Sequence, residues 1–379
     1  MLHDINYLPI LRSKQAEFDA LRQLAETDRG IITPLLDAVP VTMVVKKQVN
    51  IPEGLAKLAR KIDKSWHVYP ILVDIRGLAA LGRNTTGNML MMLHSDLCRL
   101  ENPMYPDRRA PLVPVTGLAE DGEYEATVRA IVAIEQAGLC LRLTSKSIRR
   151  MALPRDIDRF LDRMECGPDQ IYLVVALKFI DQADAPNIAD ICSRLPYLTR
   201  WKSIVVAAGS FPEDLRDLKA VGEHPLPRHE WCSWYRQITG EVRPPRYIAF
   251  GDYGIYHPHY FEPPPGAMPS ASIHYTSIDH WLIMRGRQLR RGGPGHEQYM
   301  EHAVALCECE EYLNCGPDYS AGDAYIAQMA NAYHAGNLQH PGTPATWLNA
   351  GFNHHLTLTG RNVAAVRETF VSGDAALAA

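Results

Sequence analysis

Short apolar runs alternate with longer amphipathic segments along the first 250 residues of the chain. The runs consist mostly of Val, Ile, Leu and Tyr, a length and composition typical of strands that are buried on both faces. A helix-like segment follows each of the first seven of the eight apolar runs. The runs are Tyr7–Leu11, Ile31–Asp37, Tyr69–Ile75, Leu112–Thr116, Leu139–Thr144, Ile171–Leu177, Ile204–Ala208 and Tyr247–Gly251.

The segments between the runs have the pattern of helices that cover one face of a sheet. Ala16–Ala25, Thr86–Leu100 and Tyr124–Gln136 carry apolar residues at spacings of three and four, with charges between them. Eight such repeats in about 250 residues are typical of a closed parallel barrel. The sequence therefore predicts an α/β fold, a (β/α)8 TIM-type barrel over residues 1–255.

An open doubly wound sheet is the alternative architecture. That fold normally carries a glycine-rich phosphate-binding turn after an early strand. Here the first run ends in Leu11-Arg12-Ser13-Lys14-Gln15, with no glycine near it. The barrel is therefore favoured, and its chemistry is expected where the carboxyl ends of the strands open, which we call the barrel mouth.

The repeat stops after residue 255. A proline-rich connection, His257–Pro269, leads to a strand-like run at Ser272–Thr276, and helical patterns return in Gln298–Tyr312 and Ala321–Ala335. We expect residues 256–367 to form a C-terminal α+β appendage packed on the barrel, and residues 368–379 to form a disordered tail.

Composition narrows the class of protein. The chain has 379 residues, 46% of them hydrophobic, and a formal net charge of −4, which argues against a strongly basic nucleic-acid surface. It has no apolar stretch of the roughly 18 residues that span a bilayer and no signal-peptide core at its start, so a cytoplasmic location without membrane contact is expected.

The cysteines do not indicate a metal centre. Cys307, Cys309 and Cys315 lie close to His302, but their spacing matches none of the usual zinc patterns. Scattered cysteines in a reducing compartment are not expected to pair as disulfides. The cofactor is left open, and a divalent metal at the barrel mouth is one option.

Charged and polar residues recur where the predicted strands end. Such positions face the barrel mouth and are more often functional than charges on helix surfaces. The candidates are Lys14, Asp37, Asp74, Arg76, Arg142, Lys178, Ser210 and Asp252.

Asp74 and Arg76 are the leading pair among these candidates. They are two positions apart, so strand alternation places both on one side, and the apolar neighbours Val73 and Ile75 favour the inward side. We expect them near Lys14 or Asp37. The structural alternative is an ion pair that only satisfies a polar layer of the barrel.

Ser210 has a structural alternative of its own. The sequence Gly209-Ser210-Phe211-Pro212-Glu213 suits a serine that caps a helix beginning at Pro212. The capping interpretation is favoured over a ligand-binding one.

Several motifs occur in an order that resembles a known family. They are Tyr7–Leu21, Pro34–Asp37, Val73–Arg76, Ser210–Pro212, Gly251–Gly254, Pro341–Trp347 and Asn353–His355. Together they cover nearly the whole chain and resemble the beta protein family, which is named after a T-even phage protein and occurs in bacteria and phages. The resemblance implies a phage- or antiviral-defence-associated setting, and it implies no particular reaction.

Two classes of function follow. In the first, the protein is an enzyme, a hydrolase or lyase, that acts on an anionic, phosphate-bearing ligand at the barrel mouth. Basic and hydroxyl residues would bind the ligand, and carboxylates would act as general base or hold a divalent cation. The ligand-binding set is Lys14, Arg76, Arg142, Lys178 and Ser210, and the catalytic set is Asp37, Asp74 and Asp252.

In the second class the barrel is a non-catalytic sensor or assembly subunit. The basic segment Arg285–Arg291 of the appendage would then dock a partner protein of a phage-defence module, or a nucleic acid. An accessible, charged mouth favours the enzyme, whereas a mouth covered by the appendage favours the second class.

Overall fold

The computed structural model describes residues 4–67, 69–82, 85–100, 110–218, 220–262, 266–290 and 292–377. These residues form the strands β1 (Tyr7–Arg12), β2 (Leu35–Asp37), β3 (Val44–Val45), β4 (Gln48–Val49), β5 (Ile71–Asp74), β6 (Leu112–Thr116), β7 (Leu139–Thr144), β8 (Ile171–Phe179), β9 (Ser203–Gly209), β10 (Gly222–Pro227), β11 (Ala249–Asp252), β12 (Ser270–Thr276) and β13 (His280–Gln288).

Eight of these strands close into a parallel barrel. Around the barrel the order is β1, β2, β5, β6, β7, β8, β9 and β11, and β11 pairs with β1 to close it. Each apolar run predicted from the sequence overlaps one of these strands, so the prediction of a (β/α)8 barrel is confirmed.

The helices of the described residues are α1 (Gln15–Arg22), α2 (Glu26–Arg29), α3 (Ile51–Trp66), α4 (Thr86–Arg99), α5 (Gly122–Glu135), α6 (Ser145–Ile148), α7 (Leu153–Met164), α8 (Ile188–Arg194), α9 (His229–Thr239), α10 (Gln298–Glu308), α11 (Glu310–Leu313), α12 (Ala321–His334) and α13 (Pro344–Leu377). Short polar side chains cap several of them. Asn50, Thr85 and Asp121 accept hydrogen bonds from backbone N–H groups in the first turns of α3, α4 and α5.

Strand alternation separates two apolar layers. Inward residues such as Leu8, Leu72 and Val174 fill the barrel interior, and outward residues such as Leu36 and Val73 pack beneath the helices. A side chain near the end of a strand therefore faces the interior when it lies an even number of positions from an inward residue.

The C-terminal residues form a second layer that is joined to the barrel. β10, β13 and β12 make a three-stranded antiparallel sheet, which packs with α10 and α12 around its own apolar cluster. α13 packs between α1 and α9, where an eighth barrel helix would lie. The domain boundary at residue 255 stays a prediction, although β10, which lies before that boundary, pairs with β13, which lies after it. The disordered tail from residue 368 also stays a prediction, although α13 continues to Leu377.

No helix among the described residues is both long enough and apolar enough to cross a membrane.

Candidate functional site

A charged layer lies on top of the apolar barrel interior. Arg12, Asp37, Asp74 and Arg142 each follow, two positions later, a residue of the inner apolar cluster on the same strand. Alternation thus points all four side chains into the interior at the carboxyl ends of β1, β2, β5 and β7. This layer is the floor of the barrel mouth.

Arg142 joins the two carboxylates of this layer. Its Nη1 donates to Asp37 Oδ1 at 2.6 Å and to Asp74 Oδ2 at 3.0 Å, and only 8% of its side chain is exposed. Burial alone would lower the pKa of Arg142, but the neighbouring charge of Asp37 raises it above its usual value. The guanidinium is therefore permanently charged and held in one position.

Both oxygens of Asp74 are occupied. Oδ1 accepts from the backbone N–H of Arg76 at 3.1 Å and from its Nε at 2.9 Å, and Oδ2 accepts from Arg76 Nη2 at 2.6 Å as well as from Arg142. Burial would raise the pKa of this carboxyl, but Arg76 and Arg142 hold it far below its usual range. Asp74 thus orients two arginines and has no lone pair directed at the cavity of the mouth.

Arg76 reaches a partner that the sequence did not indicate. Its Nη1 donates to Glu120 Oε1 at 2.7 Å. A Cβ on Gly117, just after β6, would lie 2.8 Å from that Nη1 and 2.6 Å from that Oε1, so a larger residue would force the Arg76–Glu120 pair to shift from this position. Arg142 bridges Asp74 to Asp37, so the Asp74–Arg76 pair is linked to Asp37 as one of the two expected neighbours. It is not linked to Lys14, the other one.

Lys178 reaches the mouth through an irregularity in β8. The pairing register with β9 shifts between Ala176 and Lys178, and Lys178 has a φ of 66°, so the strand bulges there. The ammonium lies 5.1 Å from the ring centroid of Tyr253. No carboxylate among the described residues pairs with it. Burial, followed by the charge of Arg142, lowers the pKa of Lys178.

A small cavity of about 40 Å³ lies above the charged layer. Arg12, Asp37, Lys178 and Tyr253 line it from the barrel side, and residues 256–258 and 260 line it from the connection that follows β11. The mouth is thus both charged and largely covered.

Arg12 fastens this connection over the mouth. Its Nη2 donates to the carbonyl oxygens of His257 at 2.6 Å and His259 at 3.1 Å, and its guanidinium lies 4.6 Å from the Tyr256 ring centroid and 5.3 Å from that of Tyr260. Arg12 is not among the candidates predicted from the sequence, although its position two residues after the apolar Ile10 could have indicated it.

Two predicted site residues lie outside the mouth. Lys14 pairs with Glu262 at 3.1 Å beside a different cavity. Ser210 donates to Glu230 Oε2 at 2.6 Å and accepts from the backbone N–H of His229 at 3.0 Å. The prediction of a helix at Pro212 is wrong, because the next helix of the described chain, α9, begins at His229. Ser210 accepts from the backbone N–H of that first residue, which directly follows the segment containing β10.

Asp252 also faces away from the interior. Ala249 is its inward neighbour on β11, three positions earlier, so alternation turns Asp252 outward. It accepts from the Tyr7 hydroxyl at 2.8 Å, contacts His355 Nε2 at 3.0 Å and lies 3.7 Å from Arg228, and it is 1% exposed. This buried network ties the barrel to α13.

The residues best placed to hold a metal ion are not at the mouth. Among the described residues, His94, Cys98 and Glu135 bring potential ligand atoms within 4.8 Å of one another, on the outer helices α4 and α5. The carboxylates of the mouth, Asp37 and Asp74, are instead neutralised by arginines. This pairing does not favour a divalent cation between them.

A closed parallel barrel with a charged layer at the carboxyl ends of its strands defines the (β/α)8 barrel class. Within it, the chain belongs to the Beta protein family, whose model matches residues 7–361. No curated protein and no solved structure matches the chain. The family assignment confirms the resemblance seen in the sequence and gives no reaction.

Proposed function

We propose that the protein is an enzyme that acts on a small phosphate-bearing anion at the barrel mouth, by hydrolysis or as a lyase. The observation that carries this proposal is Lys178, a half-buried ammonium that lines the mouth cavity and has no carboxylate partner among the described residues. A partly buried cation that lacks a paired carboxylate has lost part of its hydration, and an anionic ligand would supply a directly paired counter-ion.

The mouth residues divide into two roles. Lys178 binds the phosphate, whereas the positive charge of Arg142 is already paired with Asp37 and Asp74 beneath the cavity. Asp37, with 26% of its side chain exposed, is the carboxylate that lines the cavity and would serve as general base. Asp74 and Arg76 hold Arg142 in place and do not touch the ligand.

The size of the cavity limits what enters it. It holds about 40 Å³, whereas one water needs about 10–15 Å³ by the same measure. A phosphoryl group fits this space and a whole nucleotide does not. The rest of a larger ligand would lie outside, along the connection that Arg12 fastens over the mouth.

This cover favours a second candidate function, a non-catalytic sensor or assembly subunit of a cytoplasmic phage-defence module. Ligand binding at the mouth would then reposition residues 256–260 without turnover. As its partner we propose a protein, and not a nucleic acid. Within the described part of the basic segment, Arg285 turns towards Ser270 and Ser272, and of its arginines only Arg287 and Arg290 are exposed.

Lys178→Met is expected to weaken binding of inorganic pyrophosphate roughly tenfold to a hundredfold, the usual worth of a hydrogen bond to a charged group. Isothermal titration calorimetry at pH 7 measures the change. Lys64→Met, which removes an exposed lysine at the end of α3, is the matched control and should bind like the wild type. Equal affinity of Lys178→Met and the wild type would contradict the proposed site.

Turnover distinguishes the two candidate functions. Release of inorganic phosphate from a panel of phosphate esters and anhydrides, lost in Asp37→Asn, supports the enzyme. Binding of pyrophosphate at the mouth with no turnover of any member of the panel supports the sensor or assembly subunit.

A further inference from the structure

Three side chains with metal-binding atoms meet between two outer helices of the barrel. They are His94 and Cys98 of α4 and Glu135 of α5, and their ligand atoms all lie within 4.8 Å of one another. His94 Nε2 lies 2.7 Å from Glu135 Oε1 and 3.6 Å from Cys98 Sγ. Imidazole, thiolate and carboxylate are the side-chain groups that bind zinc in proteins. We call these three residues the α4–α5 cluster.

The local fold explains why these residues meet. His94 and Cys98 are four positions apart on α4, so they lie one helical turn apart on the same face. Two ligands at this helical spacing can hold one metal ion, as they do in the zinc-binding helices of metalloproteases. Glu135 is the last residue of α5, which packs against α4. It is 41 positions from His94, so the sequence gives no local signal of the cluster.

The surroundings of the cluster favour a cation. The cluster lies in the last turns of α4 and at the end of α5, and the carboxyl end of a helix carries partial negative charge. His94 is 3% exposed and the side chain of Glu135 is 4% exposed, so both are shielded from water. Cys98 is exposed, which gives a metal ion a path of entry.

A buried ion pair between His94 and Glu135 is the structural alternative. It accounts for the contact of 2.7 Å between them and leaves Cys98 without a role. In a tetrahedral zinc site, bond lengths of about 2.0–2.3 Å place nitrogen and sulfur ligands about 3.6 Å apart, and nitrogen and oxygen ligands about 3.3 Å apart. The first distance is met, and the second requires the pair to open slightly.

Cys98 also has to move. Its Sγ lies 3.9 Å from His94 Nδ1 as well as 3.6 Å from Nε2, so the thiol lies beside the imidazole ring. A rotation about the Cα–Cβ bond would carry it to the side of Nε2, and an exposed side chain changes rotamer at little cost.

We propose that the α4–α5 cluster is a Zn²⁺ site, with His94 Nε2, Cys98 Sγ and a carboxylate oxygen of Glu135 as protein ligands and a water molecule as the fourth. Zinc needs the Cys98 thiolate and a free lone pair on Nε2, so its binding releases protons to the solvent. The soft thiolate selects Zn²⁺ over Mg²⁺ and Ca²⁺. The helix ends that hold the ion lie at the face of the barrel opposite the mouth, so the ion would tie α4 to α5 and take no part in the reaction proposed for the mouth.

Co²⁺ is the probe for the test, because it occupies zinc sites and its bond to a thiolate gives a charge-transfer band in the near ultraviolet. The full chain, freed of metal by a chelator and kept reduced, is titrated with cobalt chloride. We expect a band that saturates at a single Co²⁺ per chain. Added Zn²⁺ should abolish the band, because zinc binds such sites more tightly than cobalt.

Cys98→Ser should remove the charge-transfer band and weaken Zn²⁺ binding at least about tenfold, since even the loss of a group that only orients a ligand costs this much. Cys309→Ser is the matched control. It changes a half-buried cysteine of the appendage and should keep both the band and the affinity. A hundredfold excess of Zn²⁺ over its Kd should raise the unfolding midpoint of the wild type and of Cys309→Ser by about 3–5 °C, and that of Cys98→Ser by less.

Glu135→Gln provides a second variant that does not depend on the cysteine. Glutamine keeps a hydrogen-bonding group next to His94 and removes the carboxylate, so the thiolate band should remain while Zn²⁺ binds about tenfold more weakly. Circular dichroism shows whether each variant is folded.

The proposal is overturned if the wild type gives no thiolate band with Co²⁺, or if the band persists in Cys98→Ser. Loss of the band in Cys309→Ser would place the metal at the cysteines of the appendage instead. Unchanged Zn²⁺ affinity in Glu135→Gln would leave His94 and Glu135 as an ion pair only.

Discussion

Asp74→Asn is expected to lower the free energy of unfolding by about 3–5 kcal/mol, the usual cost of breaking a buried ion pair from one side. Asp74 is 6% exposed and accepts hydrogen bonds from both Arg76 and Arg142. Without its charge, Arg142 keeps only Asp37 and Arg76 keeps only Glu120. Urea unfolding of the wild type and the variant at pH 7 measures the difference.

The pH dependence of this difference has a definite sign. The pKa of Asp74 is lower in the folded protein than its usual value of 3.8, so the stability that it contributes is present above about pH 4 and is lost as the pH falls below that value. The advantage of the wild type over Asp74→Asn should therefore shrink in acid.

Asp190→Asn is the matched control, because Asp190 forms an exposed pair with Arg194 on α8 and should leave the unfolding midpoint nearly unchanged. An Asp74→Asn protein that is inactive yet as stable as the wild type would contradict the positioning role. It would place Asp74 among the catalytic groups instead.

Glu17→Gln is expected to stabilise the protein by about 3 kcal/mol at pH 8. Burial raises the pKa of Glu17 from 4.5 to about 7, and each pKa unit corresponds to about 1.4 kcal/mol. A carboxyl whose pKa is raised on folding gives its full stability below the unfolded value, and that stability is lost as the pH rises towards the folded value. Glutamine avoids the loss because it carries no charge.

Denaturant unfolding at pH 5 and pH 8 checks this prediction. The two proteins should have similar stability at pH 5, where Glu17 is mostly protonated in the folded state, and should differ at pH 8. If the difference is the same at both pH values, Glu17 is not a desolvated acid. Glu301→Gln provides the exposed control.

The barrel could be predicted because its signal is local and repeated. Each strand is a short apolar run, and inward and outward positions alternate along it. The same alternation predicts that Asp37, Asp74 and Arg142 share one layer, because each follows an inward apolar residue by two positions. Once the strands are known, the charged residues at the floor of the mouth can therefore be predicted from the sequence to lie together.

Other parts of the site depend on irregular or distant features. The bulge before Lys178 adds a residue to β8 and changes which side chain faces the mouth, and no apolar pattern marks it. Glu120, the partner of Arg76, lies in a loop, and Arg12 donates hydrogen bonds to backbone carbonyl groups that are far from it along the chain. Asp252 lies an odd number of positions after the inward residue Ala249 on β11, so its side chain is on the outer face of the barrel. A shift of one position would have turned it inward.

The contact between Asp252 and His355 could not be predicted from the sequence either, because the two residues are far apart along the chain. His355 of α13 lies 103 positions further along the chain, and their contact exists only because α13 closes the outer layer of helices next to α1. Neither residue has a local signal that identifies the other. Contacts of this kind follow from tertiary packing and not from periodicity.

The most direct test of the proposed site is a crystal structure of the protein soaked with pyrophosphate and Mg²⁺. We expect phosphate density within hydrogen-bond distance of Lys178 Nζ and next to Asp37, above the Asp37–Arg142–Asp74 layer. Pyrophosphate bound elsewhere, or a mouth without density at a concentration that saturates the calorimetric titration, would contradict it.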